Sequence, residues 1–389
     1  MNNNNLEKKR MFVDVHVIQT VPPSCVNRDD TGSPKTAMYG GVRRARVSSQ
    51  SWKRAMRECF RDSFNESELG VRTKKIVEMV AREIRIKDQS VSPEDAIKRA
   101  NEIIELAGIA TKPVKKDDTQ MEAEALFFMS KMQAENLAGL ALSSEKIGKK
   151  EAQSALNNNN SIDLALFGRM VANDPSLNED ASAQVAHSIS THRVDNEYDY
   201  FTAVDEMAPD DNKGAGMIGT IEFNSSTLYR YATVAVHELI RQLADDHSAA
   251  GKAVREFVRA FVISMPTGKQ NTFANRTVPC SVFISIRSDQ PINLVTAFES
   301  PIQPGLSSGG YALESAKRLA AYEKEVCSTF ASAPVKTWQV GIGLESVGQS
   351  SDLQTVLDEL EKYIRGSNLV SSSEQNMISG KAEGYSKGS

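Results

Sequence analysis

Met11-Phe-Val-Asp-Val-His-Val-Ile-Gln-Thr20 opens the ordered part of the chain. Val13, Val15 and Val17 alternate with Asp14 and His16, so the segment predicts a strand with one apolar and one polar face. The stretch from Val21 to Val42 follows. It holds Pro22, Pro23, Gly32, Pro34, Gly40 and Gly41 and reads as a long loop, a kind of segment that often carries function. Ser49 then reads as a helix N-cap. The helix from Gln50 to about Phe64 places Trp52, Met56, Cys59 and Phe60 on one face and Lys53, Arg54, Arg57 and Arg61 on the other.

Beyond this unit, Arg72 to about His192 reads as an all-helical insertion. Helices are expected at Lys74–Ile86, Pro93–Ala107, Met121–Ala141 and Ala181–Ile189, with breaks near Thr111–Asp118 and at Asn157–Asn160. Tyr198–Val204 and Met217–Val236 predict a long hairpin with a turn-rich, mobile tip at 208–216. A helix at His247–Ser264, a strand at Ser281–Ile286, a helix at Ser315–Phe330, a strand at Thr337–Leu344 and a helix at Asp352–Ile364 complete the body. The ends, 1–10 and 367–389, are polar and are expected to be disordered. The frame is strand, helix, insertion, hairpin, helix, strand. This is the split β-α-β-β-α-β order of an α+β ferredoxin-like unit, which the RNA-recognition motif shares. No strand carries the closely spaced aromatics and glycine by which that motif reads RNA.

Composition bounds the rest. With 389 residues, 40% hydrophobic and 25% charged, the chain is globular. No apolar run is long enough to span a membrane. Met1 to Arg10 has no apolar core of a signal peptide, so a cytoplasmic protein is expected. Cys25, Cys59, Cys280 and Cys327 form no C-x-x-C pair, and neither a zinc ribbon nor any cofactor is expected.

Charge is unevenly spread. Between Arg28 and Arg57 lie eight basic residues (Arg28, Lys35, Arg43, Arg44, Arg46, Lys53, Arg54, Arg57) and two acidic ones, Asp29 and Asp30, in a chain whose net charge is -4. Lys53, Arg57 and Arg61 recur every four residues and share a helix face. Ser48, Ser49 and Gln50 add hydroxyls and free amides at the positive helix end, which suits a phosphate. A polyanion would explain such a segment, since each neutralised phosphate releases a counterion. A merely solvated basic face is the plainer reading.

Catalytic motifs are sparse. No G-x-x-x-x-G-K-[ST] and no H-E-x-x-H occurs. His187 and His192 are five apart, on different faces if helical, so no two-histidine metal site is expected. The one candidate is Asp29-Asp30, which could hold Mg²⁺ or assist 2′-hydroxyl attack in a metal-dependent ribonuclease. The structural alternative is an ion pair from these acids to Arg28 or Arg43. An interaction module that binds only protein is a third reading.

Ser24-Cys-Val-Asn-Arg-Asp-Asp-Thr-Gly-Ser-Pro-Lys-Thr-Ala-Met-Tyr-Gly-Gly-Val-Arg-Arg-Ala-Arg-Val-Ser-Ser-Gln-Ser-Trp-Lys-Arg-Ala-Met-Arg57 closely resembles the CasC family, the multi-copy backbone subunit of the type I-E CRISPR Cascade complex. The likeness continues at Leu166–Met170, Ala186–Asp195, Asp199–Asp205, Phe223–Ala232 and Gly268–Ala274, and fades in the insertion, the tails and the region after Arg287.

The resemblance implies a right-hand shape: a palm of RNA-recognition-motif topology at 11–70 and 236–366, helical fingers at 71–192 and a hairpin thumb at 193–235. It implies no catalysis. Copies would stack head to tail along the CRISPR RNA, kink it and present it to a target DNA strand, so that base pairing reads sequence while protein holds backbone. It further implies contact with the large subunit, the small subunits, the subunit holding the 5′ handle and the RNA-processing endonuclease. Carried onto this chain, Lys35, Ser48, Gln50, Lys53, Arg54 and Arg57 would grip phosphates. Met170 would wedge beside bases, and Tyr200, Phe201 and Thr202 would sit near the kink. Lys269 and Gln270 would add contacts. Taken alone, Met170 also fits a core methionine, and Tyr198 and Tyr200 also fit cross-strand packing.

Overall fold

In the computed structural model, residues 10–114, 117–158, 160–171, 174–203, 207, 217–303 and 310–367 are described. The expected tails and hairpin tip therefore lie, apart from residues 10 and 367, outside the described residues.

Strand β1 (Phe12–Ser24) is the spine. After it comes a hairpin of β2 (Thr36–Tyr39) and β3 (Val42–Val47), whose first strand and turn lie in the stretch that reads in sequence as loop. Its two-residue connection is Gly40-Gly41, both at positive φ, the twist that joins antiparallel strands tightly. Helix α1 (Ser49–Phe60) follows, and its N-cap is Ser48, one residue earlier than expected. The Ser48 side chain accepts from the Ser51 amide.

The insertion is mixed rather than all-helical. It runs β4 (Gly70–Thr73), α2 (Ile76–Lys87), α3 (Pro93–Leu106), β5 (Thr111–Val114), β6 (Asp117–Ala123), β7 (Phe127–Ser130), α4 (Lys131–Ala141), α5 (Lys149–Asn157) and α6 (Ile162–Phe167). The expected helix at Met121–Ala141 breaks at Ser130. There the hydroxyl and Gln133 form a capping box, so the helix starts only at Lys131. Helices α2 to α5 enclose a core of their own around Ile76, Val80, Ile84, Ile104, Met129 and Leu137.

Ala181–Ile189, expected as a helix, instead gives two short strands, β8 (Ala183–Val185), with only Gln184 exposed, and the buried β9 (Ser188–Ser190). The hairpin is β10 (Glu197–Ala203) with β11 (Met217–Ala235). Then come α7 (Val236–Gln242), α8 (His247–Ile263), α9 (Gln270–Phe273), β12 (Ser281–Arg287), α10 (Tyr311–Thr329), β13 (Lys336–Gly341), β14 (Gln349–Ser350) and α11 (Leu353–Arg365).

The main sheet has the order β14-β13-β12-β1-β11-β9-β3-β2, with β8 and β10 also on β11. At its centre β12, β1, β11 and the short β8 and β9 are antiparallel neighbours. With α1 and α8 as crossovers this is the ferredoxin-like α+β arrangement shared by the RNA-recognition motif.

Both faces of the sheet are covered. On one, Val13, Val15 and Val17 pack with Trp52, Met56 and Phe60 of α1, Phe257 and Phe261 of α8, and Leu357 and Leu360 of α11. Each fully buried side chain of this size is worth roughly 1.5–3 kcal/mol. On the other, Ile18, Tyr229, Tyr231 and Phe283 lie beneath a 3₁₀ turn at Leu294–Phe298 and α10. The polar side of β1 is therefore not solvated: Asp14 and His16 are buried. Asp14 accepts from the Tyr231 hydroxyl at 3.0 Å and the Ile292 amide at 2.9 Å, and His16 Nδ1 lies 2.9 Å from the Tyr229 hydroxyl. The face on which RNA-recognition motifs stack bases is sealed here. Among the described residues, no helix is long and apolar enough to cross a membrane.

Candidate nucleic-acid interface

Helix α1 is driven into the sheet by Trp52, Ala55, Met56 and Phe60, so its opposite face must look outward. That face carries Gln50, Lys53, Arg54 and Arg57. From Ser49 to Arg57 the helix rises about 12 Å, long enough for successive charged groups to line a polymer.

At its N-terminal end, Asn27 braces the preceding loop. Asn27 Oδ1 accepts from the Ser48 amide at 2.9 Å, and its carbonyl accepts from the Lys35 amide at 2.9 Å. Lys35 in turn accepts the Arg46 amide at 2.9 Å. His187 completes the group, its Nδ1 accepting from the Ser49 amide at 3.1 Å. Partial burial, then the charges of Arg46 and Lys35, lower the His187 pKa. Lys35 and Arg46 thus supply the charge of a cationic corner beside Ser49, with His187 as an uncharged acceptor within it. Sequence reading missed Asn27 and His187, and only the crossing of β9 with β3 brings His187 there.

One to two turns along, a second group gathers. Arg57 pairs with buried Asp163 at 3.1 Å and donates to the Gly70 carbonyl at 3.2 Å. Its guanidinium sits 4.5 Å from the centre of the Phe128 ring, and that of Arg72 lies 5.3 Å from the same ring. Lys53 lies 5.7 Å from the Phe167 ring, which also stacks on Phe60. Burial and then Arg72 lower the Lys53 pKa.

A third group lines a cleft of about 630 Å³ between the 26–32 loop, α1 and the 266–269 loop. Arg28, Arg54 and Lys269 face Asp29, Asp30 and Glu58 there. Arg54 pairs with Glu58 at 3.1 Å, an exposed contact worth little. Lys269 adopts a left-handed conformation at φ 51°, a strained backbone for a residue with a side chain. Gln270 begins the short α9 beside it.

Asp29 is spent locally. It accepts from the Thr31 hydroxyl at 2.7 Å and from the Thr31 and Ser33 amides at 3.0 Å, and the Thr31 bond leads in lowering its pKa. The expected ion pair to Arg28 or Arg43 is absent among the described residues. Among these residues, too, no three His, Cys, Asp or Glu side chains gather as a metal site.

Other expected residues scatter. Arg44 is buried and donates to the carbonyls of Tyr39, Ser190, Phe298 and Glu299 at 2.8–3.2 Å. It is an internal clamp, not an exposed cation, because its guanidinium is held among carbonyls away from solvent. Arg43 is exposed on the β2–β3 hairpin.

Met170 is 85% exposed, which excludes the core reading. Its neighbour Arg169 is buried and donates to the carbonyls of Phe128, Leu156 and Leu177. The backbone at Arg169 also bridges Glu179 in both directions, so Met170 projects from a fixed base. On the hairpin, Tyr198 and Tyr200 are exposed and share one face, and Thr202 is exposed. Phe201 points the other way and covers Gly219, where a Cβ would collide with its ring.

Comparison with curated proteins returns no match. Among solved structures, a chain of a "CRISPR RNA-guided surveillance complex, pre-nicking" is 32% identical, with a TM-score of 0.78, over 91% of this chain and 100% of that one. A chain of a "CRISPR RNA-guided surveillance complex" is 28% identical, with a TM-score of 0.67, over 90% and 99%. The family model described as CT1975-like protein matches residues 13–363, from the start of β1 into α11. That span holds both crossover helices and all three cationic groups, and the chain belongs to the CT1975-like protein family.

Proposed function

We propose that this chain is a non-catalytic RNA-binding backbone subunit of a type I-E CRISPR surveillance complex, of the CasC kind. The observation that carries the reading is the outward face of α1. Lys53 there has no carboxylate partner among the described residues, while the cations Lys35 and Arg46 flank the N-terminal end of the helix. Similarity to chains of RNA-guided surveillance complexes over nine tenths of the sequence supports the same assignment.

In this reading 11–70 and 236–366 form the palm, 71–192 the fingers and 193–235 the thumb. The partners are CRISPR RNA, further copies of the chain, the other complex subunits and, through the guide, a DNA strand in the cytoplasm. The commitment of Asp29 to Thr31 and Ser33 supports a loop-shaping role over a ribonuclease one.

The test is anisotropy of a labelled single-stranded RNA with wild type, Lys53→Glu and Arg46→Glu. Reversing Arg57 as well is not fold-neutral, since it would set a second carboxylate against Asp163. Each single reversal should weaken binding roughly 10- to 100-fold, the range for loss of a charge-assisted contact, with an unchanged melting temperature. Wild type with no affinity for RNA, or full affinity in both variants, would defeat the proposal. Appearance of regular, Mg²⁺-dependent cleavage products that vanish in Asp30→Ala would favour the ribonuclease instead.

A further inference from the structure

Arg72 was not among the residues the sequence picks out, yet the fold brings it to α1. It lies on β4, in the two-stranded sheet with β7, directly across from Phe128. The Phe128 ring is buried and has the guanidinium of Arg57 and that of Arg72 against it. Gly70, two residues before Arg72, is tied to the same place. A Cβ there would strike the Phe128 ring and the Ser161 hydroxyl, so only glycine lets β4 approach.

Three cations therefore converge, Lys53 and Arg57 from α1 and Arg72 from β4, with Asp163 as the carboxylate among them. Asp163 is already committed. One oxygen accepts from the Gly70 amide at 2.8 Å and the Ser161 hydroxyl at 2.9 Å, and the other from Arg57 Nε at 3.1 Å. Lys53 and Arg72 are left without an ion pair among the described residues. Burial comes first in lowering the pKa of each, followed by the charge of Arg72 at Lys53 and that of Arg57 at Arg72, where Asp163 is the last and opposing influence. Partly desolvated cations crowded in this way are costly unless an anion arrives.

We propose that Lys53, Arg57 and Arg72 form a phosphate site of the RNA backbone at the seam between the sheet domain and the insertion, with Arg72 as its third cation. A guanidinium fits two phosphate oxygens at once, which a carboxylate-bearing peptide would satisfy with less charge. The seat spans both hydrophobic cores, since α1 belongs to one and β7 is packed in the other. This assignment rests on the RNA-binding reading given above.

The experiment is the salt dependence of binding of a mixed-sequence single-stranded RNA to the full chain, for wild type, Arg72→Gln and Arg72→Lys. Loss of one phosphate contact should lower the slope of log K against log salt by about 0.7 and weaken binding roughly tenfold near 0.1 M salt. Arg72→Lys should keep the slope and lose only part of the affinity. Arg72 is exposed, so circular dichroism and melting should match wild type in both variants. A folded Arg72→Gln protein with the wild-type slope and affinity would overturn the three-cation site and leave the RNA-binding reading standing. Wild type that fails to bind RNA at any salt would overturn both.

Discussion

The two faces of the central sheet use similar materials to opposite ends. Under α10 lie His16, Tyr229, Tyr231 and Phe283, rings of the kind that stack bases, together with Asp14, Arg287 and Glu323. Every one of these polar side chains has an internal partner, as in the Arg287–Glu323 pair at 3.1 Å. On the other face α1 is buried by its apolar stripe and turns outward cations that exceed the nearby carboxylates. What separates scaffold from candidate interface is thus not residue type but whether charge is satisfied from within. The arginines repeat the lesson. Arg44, Arg169 and Arg230 are buried and hydrogen-bonded to carbonyls or amide oxygens, whereas Arg72 faces solvent beside two other cations.

The largest expected effect tests the footing of α1. Trp52 is fully buried, its indole N–H donates to Ser188 Oγ at 3.0 Å, and the Arg230 guanidinium lies 3.7 Å from its ring. Trp52→Ala should cost about 3–5 kcal/mol in a urea melt. A loss below about 1 kcal/mol would mean that this helix is not held by its apolar face.

The next effect probes the sealed face. Burial raises the Asp14 carboxyl from 3.8 to about 6 and lowers His16 from 6.5 to about 3. Between about pH 4 and 6 the folded protein keeps an Asp14 proton that the unfolded chain has released, so this group costs stability as pH rises, and the cost persists above. His16 acts in the other direction: the unfolded chain takes up its proton first, so stability is lost as pH falls below about 6.5. Over the shared window the two slopes oppose. Asp14→Asn should therefore raise stability at pH 7.5 by up to about 3 kcal/mol. It should also uncover a decline below about pH 6.5 that approaches 1.4 kcal/mol per unit. Denaturant melts from pH 4 to 8 would show this, and a variant with the wild-type profile would remove Asp14 from the account.

The smallest effect sharpens the contrast at the insertion. Met170→Ala should change stability by no more than about 0.5 kcal/mol, as expected for an exposed side chain. A loss of 2 kcal/mol or more would return Met170 to a core.

Much of the frame was legible because its elements are long and periodic. The alternation in β1, the stripe of α8 and the run at Ser281 each specify their element. Legibility failed where elements are short. β8 and β9 span three residues each, too few for any period, and all but Gln184 are buried. The β2–β3 hairpin was hidden by its surrounding prolines and glycines, although Gly40-Gly41 between two short runs was a usable turn signal. At the site, the basic run on α1 could be read directly. The burial of Arg44 could not, because alternation along β3 gives no hint of which carbonyls will surround it. Nor could Arg72 or His187, which reach α1 only through strand pairings far apart in sequence.

Gly268 marks how finely the third cationic group is gauged. A Cβ at this position would run into the Val26 carbonyl, so the two loops touch backbone to backbone. Arg28 hangs from one and Lys269 from the other. The gap between those charges is consequently set by a hydrogen atom where any other residue would place carbon, and even alanine there would act as a wedge, prising both walls of the groove apart together.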